Sequence, residues 1–170
     1  ASMNGIDISF DVYPYITTGS VMYTLLPAWI TEGGRKMMIY RLRDTQVRQA
    51  VIRDMKKEKR DYSRILISVS QLNRMLTKRR ISEIALAQGK QPEEVVIDVL
   101  LASDGRAIVS LEVLSEKNVD KAVTHPFSII SSNGVGYPIE HKLTGDLVHP
   151  RNFGTFPKVL AEYVREKKLL

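Results

Sequence analysis

Cysteine is absent from the 170 residues, so no disulfide can staple the fold and any metal site must be built from His, Asp or Glu. Histidine is also scarce. His125, His141 and His149 are the only ones, and none stands in the H-x-H or H-E-x-x-H spacing that turns two imidazoles toward one ion. No apolar run approaches the roughly 20 residues of a spanning helix, and the opening ASMNGIDISF lacks the basic-then-apolar order of a signal peptide. A cytoplasmic protein with no membrane partner is expected. Aromatic residues make up only 7% and do not alternate with basic ones, which removes the stacking platform of a single-strand nucleic-acid binder.

What is present is a basic, globular composition. Hydrophobic residues at 44% against charged residues at 26% place the chain among folded proteins rather than disordered ones. The net charge of +6 could neutralise phosphates, but it is concentrated in Lys56-Lys57-Glu58-Lys59-Arg60, Lys78-Arg79-Arg80 and Arg165-Glu166-Lys167-Lys168. These runs fall at or near expected helix ends, where cations complement the helix dipole and face water. No nucleic-acid partner is expected. The serines offer no nucleophile elbow, and Gly134-Val135-Gly136 is followed by no helix that could cradle a phosphate.

Periodicity supplies the elements. Ile6, Ile8, Phe10 and Val12 alternate with Asp7, Ser9 and Asp11, the pattern of a strand that Pro14 ends. Residues 16–34 mix Gly, Pro and Thr with bulky apolar residues and read as a loop with a short helical piece, Trp29 packing within it. Helical spacing follows from 35 to 60, with Asp44 capping a second helix that starts at Thr45. RILISVS (64–70) is a strand; helices are expected over 82–88 and from Pro92 to about 102, Pro at the first position with Glu93 and Glu94 behind it. A strand over 107–114, a helix capped by Ser115, a strand over 127–131 and a last helix capped by Thr155 complete the chain. The strand-helix-strand order predicts a partly parallel α/β sheet.

The strand over 127–131 stops in Ser131-Ser132-Asn133-Gly134, which by itself is a turn. His125, before Pro126, is expected to complement helix-end carbonyls, and His141 and His149 share a polar loop with a surface role favoured over a common site. Arg151 could pair with Asp146 or bind a carboxylate through its planar fork. For Tyr13 and Tyr15, strand-end packing stands beside ligand contact.

DVYPY (11–15), SSNG (131–134) and HPRNFGTFPKVLAEYVRE (149–166), in this order and joined by RLRDTQVRQAVIRDM, DYSRILISVS, ISEIALAQGKQPEEVVIDVLL and LSEKNVDKAVTHP, resemble the carboxy-terminal half of the N-acyl-D-amino-acid deacylases (D-aminoacylases), a branch of the metal-dependent amidohydrolases. The resemblance implies an α/β chain forming a partial (β/α)₈ barrel with a mainly helical insertion. Residues 5–15 would be a barrel strand, about 20–105 the insertion, and 106–170 the last strands and helices. It further implies zinc in the parent enzyme, activating water for attack on the amide of an N-acyl-D-amino acid. A carboxylate at the last barrel strand would move the proton.

In the family that carboxylate belongs to a Ser-Asp-Gly turn, whose aspartate aligns with Asn133. The substrate carboxylate would be held by Arg151, with Tyr13 and Ser20. Two departures matter: the family's metal ligands lie upstream of anything matching Gly5, and the Asn133 amide cannot accept a proton as a carboxylate does. The expectation is therefore a fragment that is inactive alone, holds no metal or other cofactor, and self-associates through exposed sheet edges. The alternatives are a non-catalytic binding or assembly module and a pseudoenzyme of that family.

Overall fold

A computed structural model describes residues 5–70, 74–137 and 146–170. In chain order the first elements are β1 (Phe10–Val12), β2 (Thr17–Val21), α1 (Ala28–Thr31), α2 (Gly34–Arg41), α3 (Thr45–Lys57) and β3 (Ile65–Val69). There follow α4 (Ile81–Gln88), α5 (Pro92–Ala102), β4 (Ile108–Glu112), α6 (Glu116–Val123), β5 (Ser128–Ile130) and α7 (Arg151–Lys158), which runs into a π-helical segment at Val159–Glu166. The chain divides into two compact units. The helical unit comprises Gly19–Glu112 with Glu140–Leu147; the terminal unit comprises Ala1–Thr18, Val113–Ile139 and Val148–Leu170.

The helical unit is built around one apolar core that runs from Met22 to Val109 and includes Ile30, Leu42, Val51, Ile67, Ile84 and Leu100. Its helices begin where local chemistry says they should. The Asp44 carboxylate accepts from the Gln46 and Val47 N–H groups at 2.8 and 3.0 Å, satisfying donors that α3 cannot pair internally. Pro92 starts α5, and the Glu94 carboxylate reaches back to the Gln91 N–H at 2.9 Å. Ion pairs from Arg48 and Lys90 converge on Asp98 of α5, and these bonds hold its carboxyl below the usual aspartate range against the opposing effect of burial.

Several expectations change here. β3 and β4 are antiparallel, with Ile65 opposite Leu111 and Ile67 opposite Val109, because two successive helices rather than one carry the chain between them. The sheet order is β2-β4-β3. Residues read as loop contain β2, whose Thr17 and Thr18 suit an extended pleat, and Trp29 is 38% exposed, its indole N–H donating to Asp54 at 3.0 Å. The Lys78-Arg79-Arg80 run precedes a helix rather than ending one. Arg80 gains nothing from the dipole there; it binds the Ser63 carbonyl and Glu112 instead.

The terminal unit has a parallel strand pair, β1 with β5, Phe10 opposite Ser128 and Val12 opposite Ile130. β1 is shorter than its alternation predicts; Ile6 and Ile8 are exposed. A small cluster of Val119, Val123, Val159 and Tyr163 packs with Val12 and Ile130. Tyr163 donates its hydroxyl to Asp120 at 2.8 Å, and Lys167 binds the same carboxylate at 2.9 Å. The last helix begins at Arg151 rather than at Thr155. Thr155 is buried and its hydroxyl donates back to the Arg151 carbonyl at 3.0 Å, a bond made within a helix and not at its cap. Ser115 does stand at the N-cap of α6, but its side chain makes no capping bond.

Candidate functional site

The terminal unit gathers Tyr13, Tyr15, Asn133, His149, Arg151 and Asn152. Tyr13 and Tyr15 flank the buried Pro14 just past β1. The turn at residues 149–152 then leads into α7, so the HPRN stretch is held by a helix start on one side and by side-chain bonds on the other.

His149 is the fixed point of this group. It is buried, with its ring edge-on to Tyr13 at 6.0 Å and to Tyr15 at 5.5 Å. Nδ1 accepts the Arg151 backbone N–H at 3.0 Å, which assigns the proton to Nε2, 2.8 Å from the Thr17 carbonyl that accepts it. Burial pushes its pKa below the ordinary value, the bond to Thr17 opposes that, and Arg151 adds to the lowering. His149 is therefore a neutral bracket inside the unit, where the sequence suggested a surface residue. His141 lies outside the described residues. His125 does not meet helix-end carbonyls through its ring; Nδ1 accepts the Phe127 N–H at 3.2 Å and the ring lies 5.3 Å from Phe10 and from Phe127.

Arg151 lies over the Tyr13 ring, its Cζ 5.1 Å from the centroid, a cation–π placement. Its Nε is buried and makes no hydrogen bond to any described residue. A buried guanidinium donor without an acceptor is costly, and a planar carboxylate is one group whose oxygens can accept from it. Lys158 caps the neighbouring Tyr15 ring at 4.8 Å and pairs with Glu162 at 3.1 Å.

The loop bearing Asn133 is tied to the same turn through Asn152. Its Oδ1 accepts the Val135 N–H at 2.6 Å while Nδ2 donates to the His149 carbonyl at 2.8 Å. Gly134 lets the two segments approach this closely: an added Cβ there would sit 3.0 Å from Asn152 Oδ1 and 3.1 Å from its Cα. Gly154 does the same on the other side, since a Cβ there would meet the Tyr15 hydroxyl at 2.7 Å. Asn133 itself is exposed at φ 44°, in the left-handed region that Asn tolerates better than most residues. A cavity of about 300 Å³ is lined by Asp11, Val12, Tyr13, Ser131 and Asn133.

Three of the four residues singled out from sequence thus share one unit. Tyr13 and Asn133 line the same cavity, and Arg151 stacks on Tyr13. Ser20 falls in the helical unit, on β2, with its hydroxyl 3.2 Å from that of Thr24. Sequence reasoning passed over Asp11, the carboxylate that lines the cavity with Asn133, and over Asn152. The only signal for Asn152 was its place directly after Arg151. Among the described residues no three His, Cys, Asp or Glu side chains lie close enough together to hold a metal ion, so those residues do not fit a zinc centre. No helix among them is long and apolar enough to cross a membrane.

No family model and no curated protein matches the sequence. Solved structures do match the fold. A D-aminoacylase studied for its binuclear metal centre matches with a TM-score of 0.60 at 24% identity. The D-aminoacylase structure described as defining a novel subset of amidohydrolases matches at 0.61 and 24%. The N-acyl-D-glutamate deacylase of Bordetella bronchiseptica, complexed with zinc and a phosphonate mimic of the tetrahedral intermediate, matches at 0.63 and 19%. Each match covers 99% of this chain and 26% of the other, so the chain spans about a quarter of the length of these proteins. At such identities the likeness is one of fold alone, that of an α/β chain of helices and small sheets.

Proposed function

We propose that this chain is a fragment from the carboxy-terminal half of a metal-dependent amidohydrolase of the D-aminoacylase kind. In this reading β1 and β5 of the terminal unit are strands of a partial (β/α)₈ barrel, and residues 20–105 are its mainly helical insertion. The parent is a cytoplasmic hydrolase of N-acyl-D-amino acids that uses zinc-activated water. What carries the reading is Arg151 stacked on Tyr13, its buried Nε bonded to no described residue, beside the loop of Asn133, on a chain that follows deacylase folds over 99% of its length.

Arg151 and Tyr13 would bind the carboxylate of an N-acyl-D-amino acid, with Ser20 contributing in the parent. Asn133 stands where the family resemblance expects the proton-moving aspartate. The zinc would be held in the parent by ligands that the described residues do not supply, so the isolated chain is expected to hold no metal and to be inactive. Purified chain incubated with N-acetyl-D-amino acids and zinc should release no free amino acid, whereas turnover with stoichiometric zinc would overturn the reading. A binding arm accompanies it: an N-acetyl-D-amino acid should shift the Arg151 Nε–H and Tyr13 ring resonances, and Arg151→Met should lose the shift.

A second reading rests on the exposed apolar side chains of the terminal unit, including Ile129 on β5 and Phe153, Phe156 and Leu160 on the last helix. They fit a chain that self-associates through its open strand pair, as an assembly module derived from the same family; the amide of Asn133 in place of a carboxylate is what would make the parent a pseudoenzyme. A chain that stays monomeric in light scattering across a concentration series would argue against self-association, and with it against the assembly module.

A further inference from the structure

We infer that Asn133-Gly134 is a self-modification site, at which the Asn133 amide is hydrolysed by its own backbone to a carboxylate. The functional consequence rests on the reading above, in which Asn133 occupies the position of a catalytic aspartate. The modification itself does not depend on it.

Four observations converge. Asn133 is exposed and lies outside helix and strand, so its amide is open to water. Its side chain makes no hydrogen bond to a described residue, unlike that of Asn152, which is bonded at both ends. It adopts φ 44°, so leaving that conformation relieves backbone strain rather than creating it. The next residue is Gly134, with no Cβ to crowd its nitrogen, and the one bond that nitrogen makes to a described residue is to the Ser132 hydroxyl at 3.1 Å, a single neutral contact.

The step balances without an enzyme or oxidant. The Gly134 backbone nitrogen gives up its proton to solvent base and attacks the Asn133 side-chain carbonyl carbon. The new N–C bond closes a five-membered succinimide, and the C–Nδ2 bond breaks, with nitrogen leaving as ammonia. Water then adds to one of the two ring carbonyls. Opening at the side-chain carbon gives aspartate; opening at the main-chain carbon gives isoaspartate. One water enters, one ammonia leaves, and no atom changes oxidation state. The aspartate product carries the proton-accepting group that the amide lacks.

The chain contains its own clock, because Asn4 is also followed by glycine, whereas Asn73, Asn118 and Asn152 are followed by Arg, Val and Phe. The intact protein is incubated at mildly alkaline pH until Asn4 has converted, and all five positions are read by peptide mapping with mass spectrometry. Asn133 should yield a mixture of aspartate and isoaspartate while Asn73, Asn118 and Asn152 stay amides. Gly134→Ala should lose conversion at Asn133 over the same time course. Asn133→Gln, which leaves the close packing of Gly134 on Asn152 intact, should leave the peptide unchanged in mass. Asn133 still an amide when Asn4 has converted would overturn the inference, as would an acid product persisting in the Asn133→Gln peptide. The readout is mass and not turnover, so its failure leaves the parent-enzyme reading standing, and hydrolysis by the isolated chain would remove that reading alone.

Discussion

The helical unit buries a continuous core from Met22 to Val109, whereas the apolar cluster among the described residues of the terminal unit is Val119, Val123, Val159 and Tyr163, and Ile6, Ile8, Phe127, Ile129, Phe153, Phe156 and Leu160 are exposed. Burial stabilises by roughly 25 cal/mol per Å² of apolar surface, so the first unit has the means to hold itself together and the second has little. The second unit nonetheless carries the orderly polar geometry: the His149 bracket, the Asn152 tie, and the cation–π stack of Arg151 on Tyr13. Stability and candidate chemistry reside in different parts of the chain. Sites built of polar, partly unsatisfied groups depend on a scaffold to hold them, and the terminal unit's own scaffold is thin.

That contrast can be attacked by substitution. Leu100→Ala, in the middle of the large core, should cost about 2–5 kcal/mol in denaturant melts. Val159→Ala in the small cluster should cost about 1.5 kcal/mol, and a loss equal to that of Leu100→Ala would erase the distinction. Tyr163→Phe removes the hydroxyl bond to Asp120 and should cost about 1 kcal/mol. With that bond and the one from Lys167 holding the Asp120 carboxyl below its usual range, an NMR titration should find the carboxyl nearer the ordinary value in the variant.

His149 gives a smaller, pH-dependent effect. Its folded pKa lies below the unfolded value of 6.5, so below that value the unfolded chain binds a proton that the folded one refuses. The contribution is fully present above about pH 6.5 and is lost as pH falls toward the depressed folded pKa, where a proton on Nδ1 would break the bond from the Arg151 N–H. Replacing His149 with Gln should flatten the dependence in that window. Smallest of all, Asn152→Ala should leave global stability nearly unchanged but speed exchange of the Val135 amide.

What could be read from sequence follows the range of the forces involved. α3 and α5 were legible because Asp44 and Pro92 act on their own helix ends, and β3 and β4 because β-branched runs declare themselves. β2 was missed because its residues, Thr17 to Val21, carry no alternation, and the last helix was started too late because Thr155 satisfies an interior carbonyl and not a cap. At the candidate site, resemblance pointed to Asn133, Arg151 and Tyr13. The burial of His149, the Asn152 tie and the presence of Asp11 beside Asn133 are tertiary facts with no local pattern, because each partner lies far away in the sequence.

Native-state hydrogen exchange of the isolated chain tests the contrast between the units most directly, since amides report the free energy of opening segment by segment. The account predicts that amides of β3, β4 and α5 exchange only through global unfolding, while those of β1, β5 and residues 131–137 exchange far faster through local opening. Equal protection in the two units would contradict it.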